Sequence, residues 1–327
     1  MVISQTPFRM SFVGGGTDFE EFFNEYGGAV ISTTFDKYCY VNVRNLPGFF
    51  DFSTELSYSK IERVNQIEEI HHPAIREAMR NLGMKNIRLT YEADLPARSG
   101  LGTSSSFAVG MLHAFHALKG EYVKKRELAD EAIYLERICC NEAGGLQDQI
   151  AVSYGGLNRI DFSSEGYSVR PIIISPEKKR RLNENLLLFF TGFARFSADI
   201  QKSYCAVIDD KKKVLLEMLQ IVDEAENILS SGGNLKEFGR LLDYSWKLKR
   251  GFTDKVSTDT IDLIYNKAIE KGATGGKILG AGGGGFLLLY VEREYQKQVK
   301  EALKDFLFVP FAFENMGTRI LFFNSDN

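Results

Sequence analysis

Between Asn86 and Glu92 apolar and polar residues alternate, Ile87, Leu89 and Tyr91 against Arg88, Thr90 and Glu92, which predicts a half-buried strand. After a glycine-rich stretch the period changes. Phe107, Met111, Ala114, Phe115 and Leu118 fall on one helical stripe, with His113 and His116 on a polar face away from it. Thr103, Ser104, Ser105 and Ser106 stand where that helix would begin, so unpaired N–H groups are expected there. Later, Lys212 to Ser230 and Thr260 to Lys271 read as amphipathic helices, while Phe286 to Val291 and Ile320 to Phe323 read as strands. The mixture predicts an α+β fold. A charged stretch, Ser175 to Arg181, suggests two domains, residues 1–180 and 181–327.

Three glycine islands interrupt this pattern: Gly14 to Gly16, Gly100 to Gly102 and Gly280 to Gly285. A single island is satisfied by a tight turn, but three flanked by regular elements ask for more. The second joins a strand to a helix N-terminus, an arrangement that favours phosphate through free N–H groups and the helix dipole. It is not a Walker loop, because no island supplies GxxxxGK[ST]. Gly280, Gly282 and Gly285 match the dinucleotide fingerprint by letter, yet they lead into a strand where that motif must open a helix.

Composition narrows the classes. The chain has 327 residues, 44% of them hydrophobic, and a formal charge of −3, so no basic field exists to hold a nucleic acid. No apolar run approaches the roughly 20 residues needed to span a bilayer, and the N-terminus has no signal-like core, which points to a cytoplasmic protein. Cys39, Cys139, Cys140 and Cys205 have no metal or redox spacing and read as reduced thiols. His113 and His116 have no third ligand nearby in sequence, which disfavours zinc. His71-His72-Pro73 reads as a helix start or turn, and Trp246 as a core residue or a sugar-stacking ring.

The segments PFRMSFVGGGTDF, LPARSGLGTSSSFAVG and GGKILGAGGGGFLLLYV resemble, in order, the three signature motifs of the GHMP kinases, and the likeness spans nearly the whole chain. The resemblance implies an N-terminal domain like that of ribosomal protein S5 and a ferredoxin-like C-terminal domain. It also implies ATP and Mg2+ as cofactors. The donor would lie over Arg98, Ser99, Gly100, Leu101, Gly102, Thr103, Ser104, Ser105 and Ser106, with Ser104 and Glu136 holding magnesium. Asp148, twelve residues beyond Glu136, would be the acid-base or orienting carboxylate, and Arg9 its cationic neighbour.

Where galactokinases carry a Glu-His-Thr-Asp run, this chain has Gly15-Gly16-Thr17-Asp18, so Asp18 would keep a sugar hydroxyl contact while bare backbone admits another sugar. GGGTD, SWKLKRGFTDKVS and GATGGKILGAGGGGF resemble the branch of sugar-1-kinases that act on D-glycero-D-manno-heptose 7-phosphate, with fucokinase domains as a cousin. In that reading Gly15, Gly16, Thr17, Asp18, Lys249, Lys277, Gly282 and Gly283 contact the substrate, and the basic residues Lys247, Lys249, Arg250 and Lys277 are available for its phosphate. The partner is a small-molecule sugar phosphate and the protein a monomer or homodimer. Competing readings are a kinase of an unphosphorylated sugar and a non-catalytic ligand-binding member.

Overall fold

The computed structural model describes residues 1–97, 99–192 and 207–324, so Arg98 and Cys205 lie outside the described residues. Among the described residues the strands are β1 Val2–Val13, β2 Gly28–Asn45, β3 Thr54–Ser57, β4 Ile61–Val64, β5 Ile87–Ala93, β6 Asn158–Ser163, β7 Gly166–Pro171, β8 Leu186–Gly192, β9 Ala273–Ile278, β10 Gly285–Val291, β11 Leu307–Phe308, β12 Phe313–Glu314 and β13 Arg319–Phe323. The α-helices are α1 Glu20–Tyr26, α2 Pro73–Leu82, α3 Thr103–Leu118, α4 Lys125–Ile133, α5 Gln147–Tyr154, α6 Pro176–Glu184, α7 Lys212–Ser230, α8 Leu235–Arg250, α9 Asp259–Glu270 and α10 Gln296–Ala302. The fold is α+β, as the mixed periodicity predicts. Strand β5 and helices α3, α7 and α9 fall within a residue or so of the spans expected from sequence.

The first sheet is organised by β2. This strand pairs with β1 along most of its length, with β6 through residues 28–32 and with β5 through residues 39–45. All its pairings are antiparallel, while β3 lies parallel to β5. The second sheet has the order β11-β8-β10-β9. In chain order that is fourth, first, third, second, with α7, α8 and α9 between β8 and β9 and α10 between β10 and β11, the ferredoxin-like arrangement.

Two expectations change. The division at 180/181 falls inside α6, and β12 and β13 pair with β2 and β1, so the end of the chain returns to the first sheet. Helix α3 is buried around nearly its whole circumference, because β1, β2, α4 and α5 enclose it and β13 also packs on it. His113 is therefore half-buried: its Nδ1 lies 3.2 Å from Thr318 Oγ1, and burial pushes its pKa down to about 4. His116 binds Glu131 at 2.7 Å. Trp246 is fully buried beside Tyr265, a core residue.

Two glycine islands cross each other. A Cβ on Gly100 would stand 2.3 Å from Leu279 O, and one on Gly280 would stand 2.4 Å from Gly100 Cα, so the loop before α3 and the loop before β10 meet backbone to backbone. Gly100 also has φ +82°. Gly100→Ala is expected to cost about 2 to 4 kcal/mol, combining backbone strain with a clash against main chain. Gly120→Ala, equally positive in φ but meeting nothing within 4 Å, should cost only about 1 kcal/mol. Urea midpoints of the two variants check the difference.

Candidate functional site

Arg9 projects from β1 and is 4% exposed. Its Nε and Nη2 donate to Asp148 Oδ1 and Oδ2, both at 2.7 Å, and its Nη1 donates to Gly100 O at 2.8 Å. The Arg9 backbone N–H is taken by Leu101 O at 3.1 Å. One guanidinium thus holds the carboxylate in the first turn of α5 against the loop that starts α3. A planar fork suits this task because two parallel bonds fix orientation as well as distance.

Glu136 lies in a π-helical turn, Tyr134–Cys139, and is 2% exposed. Its carboxylate accepts Ser104 Oγ at 2.8 Å, Ser105 Oγ at 2.7 Å, and the side-chain amide of Gln149. The two candidate carboxylates therefore frame the beginning of α3, Glu136 from the serine side and Asp148 through Arg9. Ser104 is exposed at this helix start, whereas Ser106 is turned inward and donates to Pro7 O. Ser99, Leu101 and Thr103 are buried, Gly100 takes the Arg9 bond, and Gly102 begins the helix with φ +71°. No serine acts as the N-cap expected from sequence, because a left-handed glycine occupies that position.

Across the Arg9–Asp148 pair a pocket is lined by Ser11, Gly15, Gly16, Asp18, Gln147, Lys249, Lys277, Gly280 and Ala281, among others. Asp18 is 1% exposed. Its Oδ1 accepts Gly16 N at 2.9 Å and its Oδ2 accepts Gln147 Nε2 at 2.9 Å and Gln147 N at 3.3 Å. Burial raises its pKa, opposed by the Gly16 and Gln147 bonds and reinforced by the charge of Asp148. Gly145 has no room for a side chain, since a Cβ there would lie 1.9 Å from Asp18 Oδ2.

Two lysines enter the same pocket from the C-terminal half. Lys249, in the last turn of α8, donates to Gly280 O; burial pushes its pKa down to about 8, and Asp18 partly offsets this. Lys277, on β9, is 3% exposed and donates to Phe12 O at 2.9 Å. Burial first, then the charges of Lys249 and Arg9, hold it well below the usual lysine range. Lys247 and Arg250 point elsewhere, pairing with Asp243 and Asp262.

Three substrate-site expectations are displaced. Thr17 is fully buried, and its hydroxyl binds Gly14 O and Ala29 O and accepts Ala29 N, so it closes the loop and does not line the pocket. Gly282 and Gly283 pack on Val256, whose carbonyl accepts Gly283 N at 2.9 Å, leaving Gly280 and Ala281 as the lining. Conversely, Ser11, Gln147 and Gln149 were not singled out by sequence. Their only signal was the run QDQ around Asp148 and a serine two positions beyond Arg9.

Arg9→Met should lower stability by about 2 to 5 kcal/mol, because the Asp148 carboxylate would lose its bidentate partner in a site only partly open to water. Asp148→Asn should cost less, about 1 to 3 kcal/mol: the buried guanidinium loses its counter-charge, but it can still donate to the amide oxygen and to Gly100 O. Denaturant titration of both variants at neutral pH measures the asymmetry.

Comparison with known proteins adds a family to this geometry. The family models of the GHMP kinases match residues 67–156 (N terminal domain) and 222–308 (C terminal), together more than half of the chain. D-glycero-alpha-D-manno-heptose 7-phosphate kinase of Campylobacter jejuni is 28% identical, over 92% of each chain. Galactokinase of Pyrococcus furiosus is 23% identical over 91% of each. Among solved structures, a D-glycero-D-manno-heptose 1-phosphate kinase from Bacteriodes thetaiotaomicron superposes with a TM-score of 0.80 at 23% identity, covering 99% of this chain and 100% of its own. The chain belongs to the GHMP kinases, enzymes that transfer a phosphoryl group to an alcohol.

Proposed function

We propose that this kinase uses ATP to phosphorylate D-glycero-D-manno-heptose 7-phosphate at its anomeric hydroxyl, giving the 1,7-bisphosphate for nucleotide-activated heptose synthesis. The observation that carries this reading is the placement of two buried lysines, Lys249 and Lys277, in one pocket with the Arg9–Asp148 pair. Buried ammonium groups are expensive without an anion to face, and a phosphorylated acceptor supplies one. The Campylobacter relative named for this activity supports the same choice of acceptor.

In this reading the start of α3 cradles the donor phosphates with backbone N–H groups and the helix dipole. Asp148 accepts the hydrogen bond of the anomeric hydroxyl and holds its oxygen in line with the terminal phosphorus. As the new P–O bond forms, the bond to the bridging oxygen of ADP breaks and ADP leaves, while the hydroxyl O–H bond breaks and its proton passes to the Asp148 carboxylate, which Arg9 holds in place. The hydroxyl of Ser104 and the carboxylate of Glu136 are hard oxygen donors 2.8 Å apart, a set that fits Mg2+ completed by phosphate oxygens and water. The ion would neutralise donor charge. Among the described residues no group of three His, Cys, Asp or Glu side chains gathers to hold a metal by itself.

A coupled assay with ATP over D-glycero-D-manno-heptose 7-phosphate, galactose and fucose tests the reading directly, and turnover confined to the free sugars would overturn the choice of acceptor. Asp148→Asn should lower kcat by about 10²- to 10⁴-fold with nucleotide affinity nearly unchanged; full activity would remove the mechanism. Lys249 carries its proton below about pH 8 and loses it above. Since a sugar phosphate is already doubly ionised there, kcat/KM for it should fall above pH 8, by up to about tenfold per unit. Lys249→Met should lower kcat/KM at pH 7 and flatten this decline, which a pH series of initial rates will show.

A further inference from the structure

The three glycines at 14–16 are not equivalent. Gly14 and Gly16 have φ of +86° and +109°, and a Cβ on Gly14 would lie 2.0 Å from Ala29 O, so the loop itself requires them. Gly15 does not have positive φ. A Cβ there would meet only Gln147 Nε2 at 3.6 Å and Ser11 Oγ at 3.9 Å, which is ordinary contact. The fold would accept a side chain at this position, yet the position is bare and lines the pocket.

The two groups beside Gly15 share a second property. Ser11 is 6% exposed and its Oγ has no hydrogen-bond partner; the Oε1 of Gln147 is likewise buried without one. The orientation of the Gln147 amide is dictated by Asp18, whose carboxylate can only accept and so draws the NH2 group to itself. That leaves the amide carbonyl as an unused acceptor and the serine hydroxyl as an unused donor and acceptor, both in residues that line the pocket. Buried polar atoms left unpaired cost about 1 to 3 kcal/mol each unless water or a ligand satisfies them, and these two stand beside a pocket that can admit one.

We propose that Ser11, Gln147 and the bare backbone of Gly15 form the subsite that recognises hydroxyl groups of the acceptor polyol, with Asp18 acting through Gln147 as its positioning residue. The subsite reads the carbon chain of the acceptor, separately from the lysines that face its charge. This rests on the acceptor reading above only in taking the ligand to be a sugar. Asp18 sets the direction of the amide, the Gln147 Oε1 accepts a hydrogen bond from one hydroxyl, and Ser11 exchanges a hydrogen bond with a neighbouring hydroxyl across the gap over Gly15.

Ser11→Ala removes no hydrogen bond within the protein, and Gly15→Ala adds a methyl at ordinary distances, so both variants should keep the thermal midpoint of the wild type. Calorimetric titration with D-glycero-D-manno-heptose 7-phosphate, without nucleotide, should show affinity reduced about five- to tenfold by Ser11→Ala and more than tenfold by Gly15→Ala. Titration with inorganic phosphate in parallel should be the same for all three proteins, because the lysines are untouched. Unaltered sugar affinity in both variants, an equal loss for inorganic phosphate, or a wild type that binds the sugar phosphate no better than inorganic phosphate would overturn the subsite. Wild-type binding with no ATP-dependent turnover would instead defeat the kinase reaction proposed above, with the subsite supported by the binding itself.

Discussion

The guanidinium of Arg9 is the constraint on which this site depends. It ties β1, the glycine loop before α3 and the first turn of α5 into one unit through two bonds to Asp148 and one to Gly100 O. The strand fixes the arginine, because β1 pairs with β2 at this position, Arg9 opposite Thr34, and the Arg9 N–H is taken by Leu101 O. The loop can approach because Gly102 has no side chain: a Cβ there would stand 3.1 Å from Arg9 Cγ. Phosphoryl transfer depends on position and electrostatics more than on covalent chemistry, so a rigid unit that joins a carboxylate to a helix start is the part the fold must supply.

Around that unit the polar groups divide into two sets. Beside α3, Glu136 accepts two serine hydroxyls and an amide, which holds the serines on the carboxylate side, while Ser99 Oγ and Gln149 Oε1 have no partner. In the pocket, Lys249 and Lys277 rest on backbone carbonyls, and Ser11 and Gln147 keep unpaired atoms. The second sheet matters here, since it delivers β9 and the end of α8 to a pocket whose carboxylates come from the first half of the chain.

Much of the architecture was legible because local patterns and the tertiary environment agreed. The alternation before Ala93 and the helical stripes from Lys212 and Thr260 survive folding unchanged, since each has one buried face. Helix α3 was read correctly in extent and wrongly in environment. Its apolar stripe implied a wet opposite side, but β13 and two helices cover that side, and periodicity carries no information about a strand two hundred residues away. The same reason hid Thr17 and the 282–283 glycines: a motif marks a loop, but not which of its residues face inward.

By itself the sequence determined the kinds of element, because these follow from local periodicity, and its resemblance to the GHMP kinases singled out Arg9, Glu136 and Asp148 as candidates. Only the tertiary structure decided that Lys249 and Lys277 share a pocket while Lys247 and Arg250 do not, and that Asp18 orients Gln147. Neighbouring positions on one helix point in different directions, and groups separated by more than a hundred residues meet only when sheets and helices pack. Burial and the pairing of polar atoms are properties of that packing, and no spacing along the chain encodes them.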